Sequence, residues 1–160
     1  MSQKSDSDMF HKIVRAQAEY ARAIDNDRLE DWPAFFEDPC LYRITTAGNF
    51  AKGYEAGIVF ANTRGMLTDR ITALREANIF ERHTYRHISG APCILSEDAD
   101  GARSETPFVV VRIMRDGVTD VFASGCYRDL WRAHGAQVKL AERIVICDSS
   151  RIDTLLVIPL

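Results

Sequence analysis

The sequence predicts an α+β fold, with N-terminal helices packed on a curved, mostly antiparallel sheet. Apolar residues recur at helical spacing up to about residue 75, and the pattern turns to extended runs from Ile79 onward. Three turn signals then follow at near-even intervals, Asp98 to Gly101, Asp116-Gly117 and His134-Gly135. At 160 residues the whole chain, residues 1–160, fits one domain around a single core, with residues 1–7 as a flexible polar leader.

Phe10, Ile13, Val14, Ala18, Ala21 and Ile24 define an amphipathic first helix that ends near Ile24, with Ser7 or Asp8 as its N-cap. In the next stretch, DNDRLEDWPAFFED, Asp27 and Glu30 resemble a capping box, and Pro33 fits the first position of a helical turn. Leu29, Trp32, Phe35 and Phe36 fall on one side, so a short helix packed by aromatics is expected to stop before Pro39. CLYRITT reads as a strand and GIVFAN as a short buried one. Asn62 or Thr63 would cap a third helix whose stripe is Leu67, Ile71 and Leu74, ending at Ala77-Asn78.

PFVVVRIMR, VTDVFASGCYRDLWR and QVKLAERIVICD lie between the later turns and form an antiparallel meander with one face on the helices. Asp116-Gly117 is the strongest turn signal, since it suits a type I′ hairpin. Gly125 marks a bulge or bend. In the closing RIDTLLVIPL, the apolar residues Leu155, Leu156, Val157, Ile158 and Leu160 either seal the core or dock onto a partner.

Composition excludes several function classes. An apolar share of 46%, a charged share of 27% and a net charge of −3 leave no footprint for nucleic acid or an acidic membrane. Arginines are interleaved with acids, as in ion-pair networks. Cys40, Cys93, Cys126 and Cys147 are scattered, without a C-x-x-C, which argues against a disulfide framework or a zinc site. The N-terminal MSQKSDSDMF has no signal or transit pattern, and no apolar run approaches the ~20 residues of a membrane span, so a cytoplasmic location is expected.

The stretch LTDRITALREANIFERHTYRH concentrates the chemistry-bearing residues. His83 and His87 would chelate one ion only on a helix, where residues four apart share a face. FERHTYRHI reads as extended, and on a strand four residues span roughly 13 Å. No Rieske ligand pairs, nucleotide fingerprint or nucleophile elbow occurs in the sequence. An acid–base site inside the fold would draw on Tyr20, Asp25, His83 and Arg112. Arg112 shares a strand face with Phe108, Val110 and Met114, and Tyr20 reads as a packing residue with its hydroxyl at the rim. The alternating charges, with Tyr85 and Phe80 as anchors, also suit a permanent subunit contact. The candidate interface residues are Arg70, Arg75, Arg82, His83, Tyr85, Arg86 and His87. A solvated face of surface ion pairs is the bland reading of the same residues.

Taken together, DWPAFFEDPCLYRITT, GIVFAN, MLTDRITALREANIFERHTYRHISG, VFASGCY and ERIVICDSSRIDTLLVIPL make the chain resemble the small (β) subunit of aromatic-ring-hydroxylating dioxygenases. Arg86-His87-Ile88 matches the arginine–histidine–apolar signature opening a sheet strand in these subunits. GIVFAN and DTLLVIPL place it nearest the terephthalate dioxygenase branch, with the salicylate 5-hydroxylase and anthranilate dioxygenase types behind. The resemblance implies a cone-like fold of the nuclear-transport-factor-like or cystatin-like kind and no cofactor on this chain. It also implies a large α subunit carrying a [2Fe-2S] Rieske cluster and mononuclear Fe(II), an α3β3 hexamer with contacts between β subunits, and NAD(P)H electrons delivered by a separate reductase. A stand-alone isomerase- or dehydratase-like enzyme, or a small-ligand-binding dimeric domain, would share that fold.

Overall fold

The computed structural model describes residues 2–77, 81–151, 156 and 158–160. Helix α1 spans Ser2–Asp25. It begins at Ser2 rather than at the Ser7 or Asp8 expected as cap. Once a helix is nucleated, each polar residue added to its end costs little. Its inward stripe includes Met9, Ile13, Tyr20 and Ile24, all buried.

Leu29–Phe35 forms a 3₁₀ helix with Pro33 inside it rather than at its first position. The expected capping box does not form. Asp27 takes a left-handed φ of 59°, and the carboxylates of Asp27 and Glu30 are instead held by Arg75. The aromatic packing is as expected, with Trp32 and Phe36 fully buried and edge-on at 5.6 Å.

Strand β1 (Phe36–Thr46) leads into a short helix, α2 (Ala47–Ala51), which the sequence reading missed; Thr46 caps it through its side-chain oxygen. The edge strand β2 (Val59–Ala61) follows. Val59 and Ala61 are buried, but Ile58 and Phe60 are exposed, so GIVFAN is only half buried. An edge strand packs one face alone, and alternate side chains meet solvent. Helix α3 (Arg64–Glu76) is capped by Thr63, whose Oγ1 accepts from the Met66 N–H at 3.2 Å. Leu67 and Ile71 bury its stripe, and the helix stops at Ala77, with Asn78 outside the described residues.

The remaining strands are β3 (His83–Ser89), β4 (Cys93–Glu97), β5 (Gly101–Met114), β6 (Thr119–His134) and β7 (Gln137–Cys147). They form one sheet in the order β2-β1-β7-β6-β5-β3, with β4 also pairing β5. All pairings are antiparallel except β1 with β7. Register shifts at Val110/Val111 and at Leu130/Trp131 curve the long strands.

Two turn expectations change. At Asp116-Gly117 only Gly117 has positive φ (90°), and the Gly117 N–H donates to Met114 O while the Met114 N–H donates to Val118 O. This is a type I turn closed by a glycine bulge, because type I′ would need positive φ at both central residues. Gly125 is not a bulge: it pairs in register with Phe108 and Cys147. A Cβ there would lie 1.9 Å from Ile146 O, so glycine is needed for close backbone approach.

The closing segment seals the core. Leu156 and Leu160 are buried, while Leu155 and Val157 lie outside the described residues. The Leu160 main-chain oxygen accepts from Tyr20 Oη at 2.9 Å and lies 3.1 Å from Tyr42 Oη.

Candidate functional site

The histidine-rich stretch lies where expected, on a strand. Alternation puts His83, Tyr85 and His87 on one face of β3, with Tyr85 between the two imidazoles at centroid distances of 5.3 and 6.0 Å. The histidines are therefore held apart by a ring rather than brought to a common ion. Among the described residues no group of three or more His, Cys, Asp or Glu side chains is disposed to hold a metal.

Each of the seven interface candidates has a definite position. Arg75, near the end of α3, makes a bidentate contact to Glu30 at 2.8 and 3.0 Å and reaches Asp27 Oδ1 at 2.9 Å. That clamp ties α3 to the turn after α1, and hydrogen bonding from Arg75 holds the Glu30 carboxyl below its ordinary pKa. Tyr85 is buried and stacks on Phe122 at 5.1 Å. His87 is 3% exposed in its side chain and meets Asp25 twice, through its backbone N–H at 2.9 Å and its ring Nδ1 at 2.7 Å. Arg86 points the other way, 64% exposed, with only a 3.9 Å contact to Asp25. Arg82 is exposed, and Arg70 and His83 are half-buried. Phe80 lies outside the described residues.

Tyr20, Asp25, His83 and Arg112 do not converge. Asp25 and His83 border an open groove of about 560 Å³ beside α3 and the end of β5. Tyr20 is in the core rather than at the rim, because its hydroxyl finds partners there, accepting from Trp32 Nε1 at 2.9 Å. Arg112 is paired with Asp120 at 3.2 Å and lies over the Phe122 ring at 5.0 Å.

The interior of the curved sheet is occupied by an arrangement the sequence reading missed. Arg143 on β7 donates to both oxygens of Asp129 on β6 at 2.8 and 2.9 Å, and both side chains are fully buried. The guanidinium is sandwiched by Tyr127 at 4.0 Å and Tyr20 at 4.4 Å. Gln17 donates to Thr106 Oγ1 at 2.8 Å, and Trp131 Nε1 donates to Ser104 Oγ at 3.0 Å, completing a polar layer. Burial opposes the Arg143 charge, but the Asp129 carboxylate outweighs it and holds the guanidinium protonated. Burial also raises the Asp129 carboxyl by more than Arg143 lowers it.

A signal for Asp129 existed, since Tyr127, Asp129 and Trp131 alternate on one strand face. Arg143 was hidden by the bulge. Val138 and Leu140 face inward at even positions, but the skipped Ala141 switches the inward parity to Arg143, Val145 and Cys147.

Comparison with known proteins adds the lineage. A family model described as "Ring hydroxylating beta subunit" matches residues 19–154. The beta 1 subunit of the terminal oxygenase component of terephthalate 1,2-dioxygenase from Comamonas sp is 52% identical over 149 residues, covering 93% of this chain and 97% of that protein. The small subunit of anthranilate 1,2-dioxygenase from Burkholderia cepacia is 36% identical, covering 97% and 96% of the two chains. A crystal structure from Novosphingobium aromaticivorans, described as the beta subunit of an aromatic-ring-hydroxylating dioxygenase, superposes with a TM-score of 0.87 at 36% identity, covering 94% and 96%.

Proposed function

The chain belongs to the ring-hydroxylating β-subunit family, and on that premise we propose that it serves a terminal oxygenase acting on an aromatic carboxylate of the terephthalate type. The observation that carries this is the 52% identity to a terephthalate dioxygenase β subunit across nearly the full length of both chains. The anthranilate relative, at 36%, supports the wider class of aromatic acids.

In this reading an α subunit supplies the Rieske cluster, the mononuclear iron and the substrate pocket, and a reductase supplies electrons from NAD(P)H. The β chain builds the assembly, an α3β3 hexamer in which β subunits also touch one another. The filled interior supports that division of labour: Arg143, Asp129 and their aromatic cage occupy the space where a stand-alone enzyme of this fold would need a substrate.

The charged stretch is the proposed contact surface. Arg70, Arg82 and Arg86 present it, His83, Tyr85 and His87 lie on the inner face of β3, and the exposed Arg75 clamp fixes α3 beside it. Among the described residues no helix is long and apolar enough to cross a membrane. The test is co-expression with an α subunit, followed by native mass and iron analysis. The expected product is an iron-bearing hetero-oligomer with equal numbers of the two chains. A β chain that never joins an iron-bearing partner overturns the proposal.

A further inference from the structure

Between α1, β3 and β7 lies a small cavity of about 10 Å³, bordered by Gln17, Tyr20, His87, Phe108, Tyr127 and Arg143. Two of these bordering residues carry a buried polar atom with no hydrogen-bond partner among the described residues, His87 Nε2 and Arg143 Nη1. Their side chains are 3% and 0% exposed, so bulk water does not serve them. They come from different strands: His87 is hydrogen-bonded to Asp25, and Arg143 is ion-paired with Asp129.

The chemistry of the two atoms is complementary. Arg143 spends Nε and Nη2 on Asp129, so Nη1 is left with protons to donate. His87 directs Nδ1 at Asp25 Oδ1, which suits Nδ1–H as the donor, and in that tautomer Nε2 presents a lone pair. Residues carrying one unpartnered donor and one unpartnered acceptor therefore border a space about the size of a single water, and a buried water needs two or more polar partners. A cation is disfavoured by the guanidinium, and an anion by the Nε2 lone pair.

We infer that this cavity is a hydration site, in which one ordered water accepts from Arg143 Nη1–H and donates to His87 Nε2. The water joins the Asp25–His87 hydrogen bond and the Arg143–Asp129 ion pair into one relay, Asp25–His87–water–Arg143–Asp129. That relay links the end of α1 to β3, β7 and β6.

The test is a high-resolution crystal structure of the full chain, with ¹⁵N spectra of its histidine rings. The expected result is a solvent peak about 2.7–3.2 Å from both nitrogens and a His87 ring protonated on Nδ1 alone. In the His87→Phe variant, which removes the acceptor, the peak should be lost. Absence of the peak in wild-type maps that show other buried waters would overturn the inference. So would direct contact between the two side chains, or a His87 ring protonated on Nε2, alone or together with Nδ1.

Discussion

Asp129 and Arg143 illustrate how one buried pair sets the interior of a domain. Asp129→Ala leaves a guanidinium fully buried without its counter-charge, a change that costs about 3–5 kcal/mol in comparable pairs. Replacing both partners together, Asp129→Leu with Arg143→Met, should recover most of that loss, since a well-packed apolar pair of similar volume is often neutral. Urea denaturation of the three chains checks both outcomes; a single variant as stable as wild type would refute the role given to the pair. The buried thiols and phenols set the alkaline limit. Burial pushes Cys40 and Cys147 up to about 11 and also raises Tyr20, Tyr42 and Tyr127. The unfolded chain then loses protons, from about pH 8.5 for thiols and about 10 for phenols, that the folded chain keeps. Their stabilising contribution is complete below the unfolded values and is lost as pH rises through the folded ones. The melting temperature should therefore fall from about pH 8.5 upward, which calorimetry between pH 7.5 and 11 would measure.

At the level of elements, the strands carry the most stringent local requirement. β6 passes β7 so closely at Gly125 that any side chain meets the Ile146 carbonyl. Gly125→Ala should destabilise by at least the ~1–3 kcal/mol of ordinary overpacking, because backbone rather than a flexible side chain must move. Thr63→Ala should cost about 1 kcal/mol through loss of the α3 cap. Thermal denaturation ranks the two, and a Gly125→Ala chain less perturbed than Thr63→Ala would contradict the packing at that crossing. The positions of α1 and α3, a short helix after α1, the antiparallel run β5–β7 and three of the turns were legible in periodicity and turn residues. The 3₁₀ form of that short helix and the loss of its capping box were not, because Asp27 and Glu30 are drawn from a local cap to Arg75, which is distant in sequence. The bulges were not either, since each depends on how two strands pair.

Across the whole molecule, the cone-like α+β fold places β3 with one face on the core and the other outward. This separates the roles of neighbouring residues in the proposed assembly. Arg86→Ala alters a side chain that is 64% exposed, so it should weaken α-subunit association by about 1–2 kcal/mol, roughly tenfold in Kd, with melting nearly unchanged. His87→Ala should weaken association and also lower stability by about 1–3 kcal/mol, because Asp25 loses a buried partner. Paired binding and melting measurements distinguish them. An Arg86→Ala chain that assembles like wild type would remove this face from the interface.

The sequence alone determined the α+β class, the order of helices and meander, the strand geometry that separates His83 from His87, and the family, because spacing, turn chemistry and matching segments are local properties of the chain. Only the tertiary structure decided which charges are spent inside. A bulge between β6 and β7 turned Arg143 inward onto Asp129, and the fold brought Asp25 to His87. Those partnerships depend on register and on contacts between distant residues, which a periodic reading of one segment at a time does not contain.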